Sequence, residues 1–367
     1  MRVIFLKHSA KSGGVPTWVA DISQSLNSKT GIKAQSIEPS FAHLALIMQA
    51  DIIHICTFNP KTLAIAFLRR IIRKPIIVTL HGNYIATYKN SHFIKRFLAV
   101  FLSDIGLLLS NKITVPSKYL LKTLAKKRHH LKNKLVFIKN GVNQEQIKKI
   151  PKMPRKKLGI NKNDFLIVEV TDFYYPEKAK GVDLLVDAFN FAKQENTALE
   201  LKSRFKNDAS LGRTSRIIKP KADWYWDKKL KLIIIGGRKY FKSYKRKYES
   251  ESIKFTGQIK REEVISIIKA ADLVVHCSFL DNAPLSLIEA MVCQKPIIAT
   301  QVGAVKELLG DAGVICRPNQ LALQIKKVIS SPETLRDLQK KSSKKSKMYD
   351  SDKISQNLLM LYNSVIR

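Results

Sequence analysis

Cysteine is scarce in this chain of 367 residues, which contains four, at Cys56, Cys277, Cys293 and Cys316. None of them forms a Cys-x-x-Cys pair, and this argues against a disulfide framework or a structural zinc site. No run approaches the roughly twenty apolar residues that a membrane-spanning helix needs, because the nearest candidate, Phe97–Leu109, is short and contains Asp104. The run Met1–Leu6 is too short for a signal peptide and is typical of a first strand. We therefore expect a soluble protein in the cytoplasm.

Acidic residues are also few: the chain has 29 Asp and Glu against 65 Lys and Arg, a formal net charge of +36. The excess is steepest in residues 1–150, which contain 24 basic and 5 acidic residues, with a dense basic run from Lys118 to Lys139. Because 49 of the basic residues are Lys, a general Lys bias of the genome is an alternative explanation. A surface this basic attracts anionic lipids or an anionic polymer. We therefore expect peripheral association with the inner face of the cytoplasmic membrane.

Hydrophobic residues, in contrast, are plentiful at 45%, and charged residues make up 26%, as in globular proteins. This composition excludes a disordered, collagen-like or low-complexity chain, because enough apolar surface is available to form a core. The length of the chain predicts about two domains.

Short runs rich in Ile and Val alternate with helical patterns along the chain. Such runs are typical of strands that are buried on both faces of a parallel sheet. The first set is Val3–Leu6, Ile52–Ile55, Ile76–Leu80, Ile113–Val115 and Val136–Ile138, and the second is Leu166–Val170, Leu232–Ile235, Ile253–Phe255, Leu273–His276, Pro296–Ala299 and Gly313–Cys316. The sequence therefore predicts an α/β protein with two doubly wound, Rossmann-like domains that face a central cleft.

The connection between the two sets contains Pro151 and Pro154, which break a helix and predict an extended linker. The final segment is amphipathic, with an apolar stripe at helical spacing. The expected units are residues 1–150, residues 151–345 with an insertion at about 196–229, and a final helix over 346–367 that packs back on the first domain.

Several candidate functional residues follow predicted strands, because parallel sheets bind ligands at the carboxyl ends of their strands. Gly13-Gly14 closes the first strand-to-helix loop and lets a ligand approach the backbone, although a plain turn is an equal alternative. No Gly-x-Gly-x-x-Gly is present, so a dinucleotide site is disfavoured. His81 directly follows a strand, with a structural role as its alternative. His276 also ends a strand, but its apolar neighbours favour a core position.

The most informative stretch is Asp272–Gly303, in which a strand ends near Asp281 and the following helix carries Glu289. Free backbone N–H groups at the start of that helix are suited to a diphosphate. Glu289, two turns into the helix, is placed to accept hydrogen bonds from ribose hydroxyls. The loop and helix start between the two carboxylates add Asn282, Ala283, Pro284 and Leu285 to the expected nucleotide site.

This stretch resembles the Glu-x7-Glu region of the retaining glycosyltransferases of family 4, which have the GT-B fold. Asp281 stands where the first glutamate is expected, and Glu289 matches the second. Other landmarks of the family follow in order: Ser12-Gly13-Gly14, Thr79-Leu80-His81-Gly82, Val115-Pro116-Ser117, Asn140-Gly141-Val142, Lys180-Gly181-Val182-Asp183-Leu184-Leu185, Ile235-Gly236-Gly237 and Phe255-Thr256-Gly257. Each landmark is weak alone, but their shared order across nearly the whole chain is specific.

The resemblance implies sugar transfer, with retention, from a nucleotide sugar to a cell-surface glycan or a lipid-linked saccharide. It implies an N-terminal acceptor domain, a C-terminal donor domain and no cofactor or metal ion. His81 is expected to face the donor sugar, Asp281 to lie near the sugar and the phosphate, and a lysine to neutralise the diphosphate. Lys178 and Lys180 are both candidates for that lysine, and Lys180, which adjoins Gly181, is favoured. The remaining residues of the expected donor site are Gly13, Gly14 and Gly257.

The chain departs from the family after the first strand of the second domain. There the family has Gly-Arg-Leu, whereas this chain has Val170-Thr171-Asp172-Phe173 and no adjacent arginine. Removing one charge that stabilises a transition state costs about 3 kcal/mol. An inactive GT-B homologue is therefore an alternative to an active enzyme.

Three other functions are less consistent with the sequence. A metal-dependent GT-A enzyme needs an Asp-x-Asp after a central strand, but the one such triplet, Asp350-Ser351-Asp352, lies in the polar tail and is typical of a helix cap. A sugar-nucleotide epimerase shares the two-domain architecture but not the ordered landmarks. A nucleic-acid-binding protein would explain the positive charge, but the sequence contains no nucleic-acid recognition motif.

Overall fold

The computed structural model describes residues 1–7, 13–29, 31–82, 93–193 and 229–366. These residues contain two parallel six-stranded sheets, each flanked by helices. The expected insertion at 196–229 lies outside the described residues, apart from its last residue, and so does Ser12. The two sheets confirm the α/β fold class with two doubly wound domains.

The first sheet is built from β1 (Arg2–Leu6), β2 (Lys33–Ile37), β3 (Ile52–Ile55), β4 (Ile76–Thr79), β5 (Lys112–Val115) and β6 (Leu135–Phe137). The helices of this half are α1 (Gly14–Asn27), α2 (Leu44–Gln49), α3 (Pro60–Ile71), α4 (Phe93–Leu109), α5 (Lys118–Lys127) and α6 (Gln144–Lys149). The strands are parallel and lie in the order β2-β1-β3-β4-β5-β6.

The second sheet is built from β7 (Phe165–Val170), β8 (Leu230–Ile235), β9 (Ile253–Gly257), β10 (Leu273–His276), β11 (Ile297–Thr300) and β12 (Val314–Cys316). The helices of this half are α7 (Pro176–Lys193), α8 (Phe241–Tyr248), α9 (Arg261–Ala270), α10 (Leu285–Val292), α11 (Val305–Leu309), α12 (Leu321–Ile329), α13 (Pro332–Ser346) and α14 (Ser351–Ile366). The strands are again parallel, in the order β12-β11-β10-β7-β8-β9.

Burial on both faces explains why the central strands were visible in the sequence. Every residue of β3, β4 and β10 is buried, because helices cover both faces of each sheet. The strand β2 was not predicted. It lies at the edge of the first sheet and alternates between exposed and buried residues, so it has no continuous apolar run.

The last helix, α14, crosses back to the first half of the chain and packs against α1. The hydroxyl groups of Ser25 on α1 and Ser355 on α14 lie 2.8 Å apart. The Tyr362 hydroxyl lies 2.6 Å from Nδ1 of His54, a buried residue of β3. The end of the chain therefore covers part of the core of the first sheet.

Two shorter segments can also be compared with expectation. The Asp350 carboxylate accepts a hydrogen bond of 2.9 Å from the backbone N–H of Asp352, which confirms the predicted helix cap. The apolar run Phe97–Leu109 lies within α4. Among the residues described above, no helix is both long and apolar enough to cross a membrane.

Candidate active site

The chain order of the second sheet reverses between β7 and β10, and doubly wound sheets bind ligands at the carboxyl edge of such a reversal. Glu169 near the end of β7 and His276 at the end of β10 are neighbours there, with Nδ1 of His276 3.6 Å from Oε1 of Glu169. Nε2 of the same imidazole lies 3.5 Å from Oδ2 of Asp281. Asp281 therefore rests on a buried imidazole, a neighbour that sequence reasoning missed when it placed His276 in the core.

Lys178 completes this charged cluster. It lies in the first turn of α7, and its Nζ is 3.1 Å from Oδ2 of Asp281. Burial alone would lower the pKa of Lys178, but the Asp281 carboxylate outweighs burial and raises that pKa. Lys178 is therefore a half-buried cation held beside a carboxylate.

Asp281 and His276 keep each other ionised. Burial by itself lowers the pKa of His276, but its contacts with Asp281 and Glu169 outweigh burial and raise the pKa to about 9. Burial also opposes ionisation of Asp281, yet Lys178 and His276 hold the pKa of that carboxyl well below its usual range. Burial raises the pKa of Glu169. The result is an ionised Asp281 with one cation on each side.

Helix phase decides between the two candidate lysines. Residues 178 and 181 lie on one face of α7, three positions apart, and a Cβ on Gly181 would lie 2.0 Å from the carbonyl oxygen of Cys277. That face of α7 therefore meets the end of β10, and it carries Lys178. The side chain of Lys180, the residue favoured from sequence, is exposed on another face. The geometry favours Lys178 as the cation beside Asp281.

The loop that leads into α10 lies at the seam between the two halves of the chain. Asn282 donates through Nδ2 to the carbonyl oxygen of His81 at 3.4 Å and accepts a hydrogen bond of 3.0 Å from the Ser117 hydroxyl. The Ala283 carbonyl oxygen accepts from Nδ2 of Asn140 at 2.9 Å. Three landmarks of the first half, around His81, Ser117 and Asn140, thus meet this loop.

The glycines of the first loop face the start of α10 across the seam. This helix begins at Leu285, directly after Pro284, where the sequence predicted it. A Cβ on Gly14 would lie 3.9 Å from Cδ1 of Leu285. Gly13, which precedes α1, has a φ of 125°, a value that favours glycine. The backbone of the first loop therefore approaches the helix start expected to bind a diphosphate.

Glu289 is buried in α10 and is joined to the first half of the chain. Its Oε1 accepts a hydrogen bond of 2.8 Å from Nε of Arg261. The Arg261 guanidinium also donates to both carboxylate oxygens of Asp21 on α1, at 2.7 and 2.8 Å. Burial raises the pKa of Glu289, and Arg261 opposes that shift. Sequence reasoning missed Arg261, although it follows the end of β9, a position that marked other candidates.

His81 lies against Trp18, with the two ring centroids 4.8 Å apart in an edge-on arrangement. Burial lowers the pKa of His81 to about 4, so the imidazole is neutral at neutral pH. Its Nε2 has no hydrogen-bond partner in the part of the chain that the structure describes. His81 is therefore a neutral ring packed against the buried Trp18.

Gly257 lies in a turn rather than in the charged cluster. It has a φ of 74° and pairs with Gly236 in an isolated bridge. A Cβ on Gly257 would lie 3.3 Å from the ring of Phe241. These contacts give Gly257 a position that shapes the end of β9, and a contact with the donor there stays a prediction.

Comparison with known proteins identifies the family. A family model of group 1 glycosyl transferases matches residues 217–345, and a model of glycosyltransferase family 4 matches residues 12–146. A glycosyltransferase of Methanocaldococcus jannaschii, itself uncharacterized, is 25% identical over 323 residues, which are 86% of this chain and 76% of that protein. The alpha-monoglucosyldiacylglycerol synthase of Acholeplasma laidlawii is 22% identical over 342 residues, 87% of this chain and 76% of the relative.

A similar solved structure establishes the fold. The crystal structure of Anabaena HepE in complex with UDP-glucose has a TM-score of 0.72 and 18% sequence identity, and the similarity covers 99% of this chain and 100% of that one. Both halves of the chain, the two sheets and the seam between them are accounted for by one architecture. The chain therefore contains a family 4 glycosyltransferase domain followed by a group 1 glycosyltransferase domain, and it has the GT-B fold.

Proposed function

We propose that this glycosyltransferase moves a sugar from a nucleotide-sugar donor to a cell-surface glycan or a lipid-linked saccharide, with retention and without a metal ion. The observation that carries the proposal is the ion pair of Lys178 and Asp281 at the strand-order reversal of the second sheet. The UDP-glucose bound to HepE, a protein of the same fold, supports a nucleotide-sugar donor.

Charge development on the leaving group assigns the role of Lys178. When the bond between the sugar and the diphosphate breaks, the nucleoside diphosphate gains negative charge. Lys178 and the free N–H groups in the first turn of α10 stabilise that charge without reorganising. Asp281, kept ionised by Lys178 and His276, stabilises positive charge that develops on the donor sugar.

Two further residues bind the neutral parts of the donor. Glu289 accepts hydrogen bonds from the ribose hydroxyls, and Arg261 fixes one of its carboxylate oxygens in place. His81 faces the sugar as a neutral imidazole, so it contributes a hydrogen bond rather than a charge.

Nucleotide binding is the first test. Calorimetric titration of the wild type with UDP, GDP and ADP should identify one diphosphate that binds, and Glu289→Gln should weaken it about tenfold, because a hydrogen bond to a charged group is lost. Glu262→Gln is the matched control, since Glu262 is exposed on α9. A wild type that binds none of the three diphosphates contradicts the proposal.

A surface on α3 and α4 supports a membrane-bound acceptor. The two helices pack against each other, and their exposed apolar side chains are Phe67, Leu68, Ile71, Ile72, Phe97, Leu98, Phe101 and Leu108. Arg70 and Arg73 are exposed beside them. An apolar face bordered by basic residues is typical of helices that lie in an anionic membrane interface. We propose that this α3–α4 surface holds the enzyme on the inner face of the cytoplasmic membrane.

Vesicle flotation tests the membrane proposal. Vesicles of phosphatidylcholine with added phosphatidylglycerol should bind the protein, and vesicles of phosphatidylcholine alone should bind less. The variant Phe67→Ser/Ile71→Ser/Phe101→Ser should bind at least about tenfold more weakly, because three large apolar side chains no longer leave water. Met360→Ser, at a residue 70% exposed on α14, should bind like the wild type. Equal flotation of the triple variant and the wild type would overturn the proposal.

A further inference from the structure

The loop after β7 lacks the arginine that the family has there. This chain reads Val170-Thr171-Asp172-Phe173 at that position. The loop instead offers the Asp172 carboxylate, whose side chain is 38% exposed. A diphosphate approaching Lys178 would therefore meet an acidic group where the family supplies a basic one.

The neighbouring loop, after β8, is bonded to this one along the backbone. The N–H of Thr171 donates to the carbonyl oxygen of Ile235 at 2.9 Å, and the N–H of Phe173 donates to that of Gly237 at 3.1 Å. Between these bonds, a Cβ on Gly236 would lie 1.9 Å from the Thr171 carbonyl oxygen. The two loops are thus packed backbone to backbone, and the next residue, Arg238, starts at the edge of the β7 loop.

Arg238 reaches from this edge across the seam. Its Nη2 lies 3.7 Å from the position that a Cβ on Gly13 would occupy, and its Nε lies 3.8 Å from Oδ1 of Asp172. Its φ is 89°, a conformation that costs energy for any residue other than glycine and that is found where surrounding structure or function requires it. The guanidinium is therefore placed between the loop that contains Gly13 and the loop after β7.

Arg238 and Lys178 share Asp172 as a neighbour. The negative charge of Asp172 contributes to the raised pKa of Lys178 and also attracts Arg238. Both cations therefore lie along the same edge of the second sheet, after β7 and β8. The ion pair between Arg238 and Asp172 is long and partly exposed, so a more highly charged diphosphate can compete for the guanidinium.

We propose that Arg238, supplied by the β8 loop, binds the diphosphate of the donor in place of the arginine missing after β7. This inference rests on the proposed function, because it assigns a further residue to the same donor site. A guanidinium donates two parallel hydrogen bonds to phosphate oxygens, which an ammonium group does not. Arg238 thereby restores the pair of cations that the sequence alone suggested was incomplete.

Titration with a diphosphate and its monophosphate tests the inference. Arg238→Ala should weaken the binding of UDP, GDP or ADP, whichever the wild type binds, by about 10- to 100-fold, the effect of losing charged hydrogen bonds. Binding of the matching monophosphate should change less than about threefold, and Arg238→Lys should be intermediate. Lys239→Ala, which removes one charge at the adjacent exposed position, should bind like the wild type.

A second variant separates binding from folding. Arg238→Gly removes the guanidinium and also relieves the positive φ, so it should unfold at the same or a higher temperature than the wild type while binding the diphosphate as weakly as Arg238→Ala. Diphosphate affinity within threefold of the wild type in both variants would overturn this inference alone. A wild type that binds no nucleoside diphosphate would overturn the proposed function together with it.

Discussion

Each half of the cleft has a histidine at or just after the end of a central strand, but at neutral pH His276 is protonated and His81 is neutral. His276 touches Asp281 and Glu169, and its pKa is raised to about 9. His81 touches Trp18, and its pKa is lowered to about 4. Burial disfavours the charged form of both rings, so the carboxylate neighbours alone account for the difference.

This contrast matches the chemistry expected on each side. A diphosphate leaving group needs fixed charges, and the second half supplies them as a network around Asp281. A sugar is neutral and is bound by shape and hydrogen bonds, and His81, the residue of the first half proposed to face it, is a neutral ring. Arg261 joins the two halves through charge, because it pairs with Asp21 on one side and Glu289 on the other.

The largest expected effect is a loss of stability when Arg261 is replaced. Arg261→Met leaves the carboxylates of Asp21 and Glu289 buried without their cation, and removing one partner of a buried ion pair costs about 3–5 kcal/mol. Urea unfolding should show that loss. Lys245→Met, which breaks the surface pair with Glu249, should cost less than about 0.5 kcal/mol. Equal losses of unfolding free energy in the two variants would contradict the conclusion that Arg261 holds a buried ion-pair network together.

The next effect is on catalysis. Asp281→Asn keeps the shape of the side chain but removes the charge between Lys178 and His276, so the rate of sugar transfer should fall by about 100-fold. The pKa of His276 should fall as well, because burial is then opposed only by Glu169. Asp187→Asn, a change in an exposed carboxylate of the same helix α7, should leave the rate within about twofold of the wild type.

Acid should destabilise the first half. In the unfolded chain a histidine titrates near 6.5, whereas His81 and His54 have folded pKa values of about 4 and about 3. The unfolded state therefore binds more protons below pH 6.5, and stability falls as the pH drops. Each ring should cost about 2 kcal/mol between pH 7 and pH 5. His81→Phe should remove its share, which urea unfolding at the two pH values measures.

Alkali, rather than acid, should destabilise the second half. His276 is protonated in the folded state up to about pH 9, so its stabilising contribution is full below pH 6.5 and is lost as the pH rises through 9. The loss between pH 7 and pH 9.5 should be about 2 kcal/mol. His276→Asn should unfold with a smaller dependence on pH over this interval. An unchanged dependence would show that the ring is neutral in the folded protein.

The sequence predicted strands that are buried on both faces of a sheet and failed to predict a strand that is not. Leu273–His276 was predicted with the bounds that the structure has, because a strand covered on both faces is apolar at every position. Lys33–Ile37 was missed, because an edge strand is held by its backbone pairing with Arg2–Leu6 and needs few apolar residues. Strand pairing of this kind leaves little trace in composition.

For the site, spacing along one element was predictable and spacing between elements was not. Asp281 and Glu289 belong to one loop and helix, and their separation is visible in the sequence. The choice between Lys178 and Lys180 depends on which face of α7 packs against β10. A one-residue uncertainty in where the helix starts changes the face that the sequence predicts there. The contact of Arg261 with Asp21 joins positions 240 residues apart, and no local pattern encodes such a contact.

The return of α14 to the first half has a consequence for synthesis on the ribosome. The hydroxyl of Tyr362 bonds to His54 across 308 positions of the chain. At a synthesis rate of roughly 5–20 residues per second, α14, which covers β3, is made about 15–60 s after β3. During that interval the first sheet lacks part of its cover, while the second sheet is still being translated. We therefore expect the nascent first half to need a chaperone or the membrane as a temporary cover, and the last helix to act as the final step of assembly.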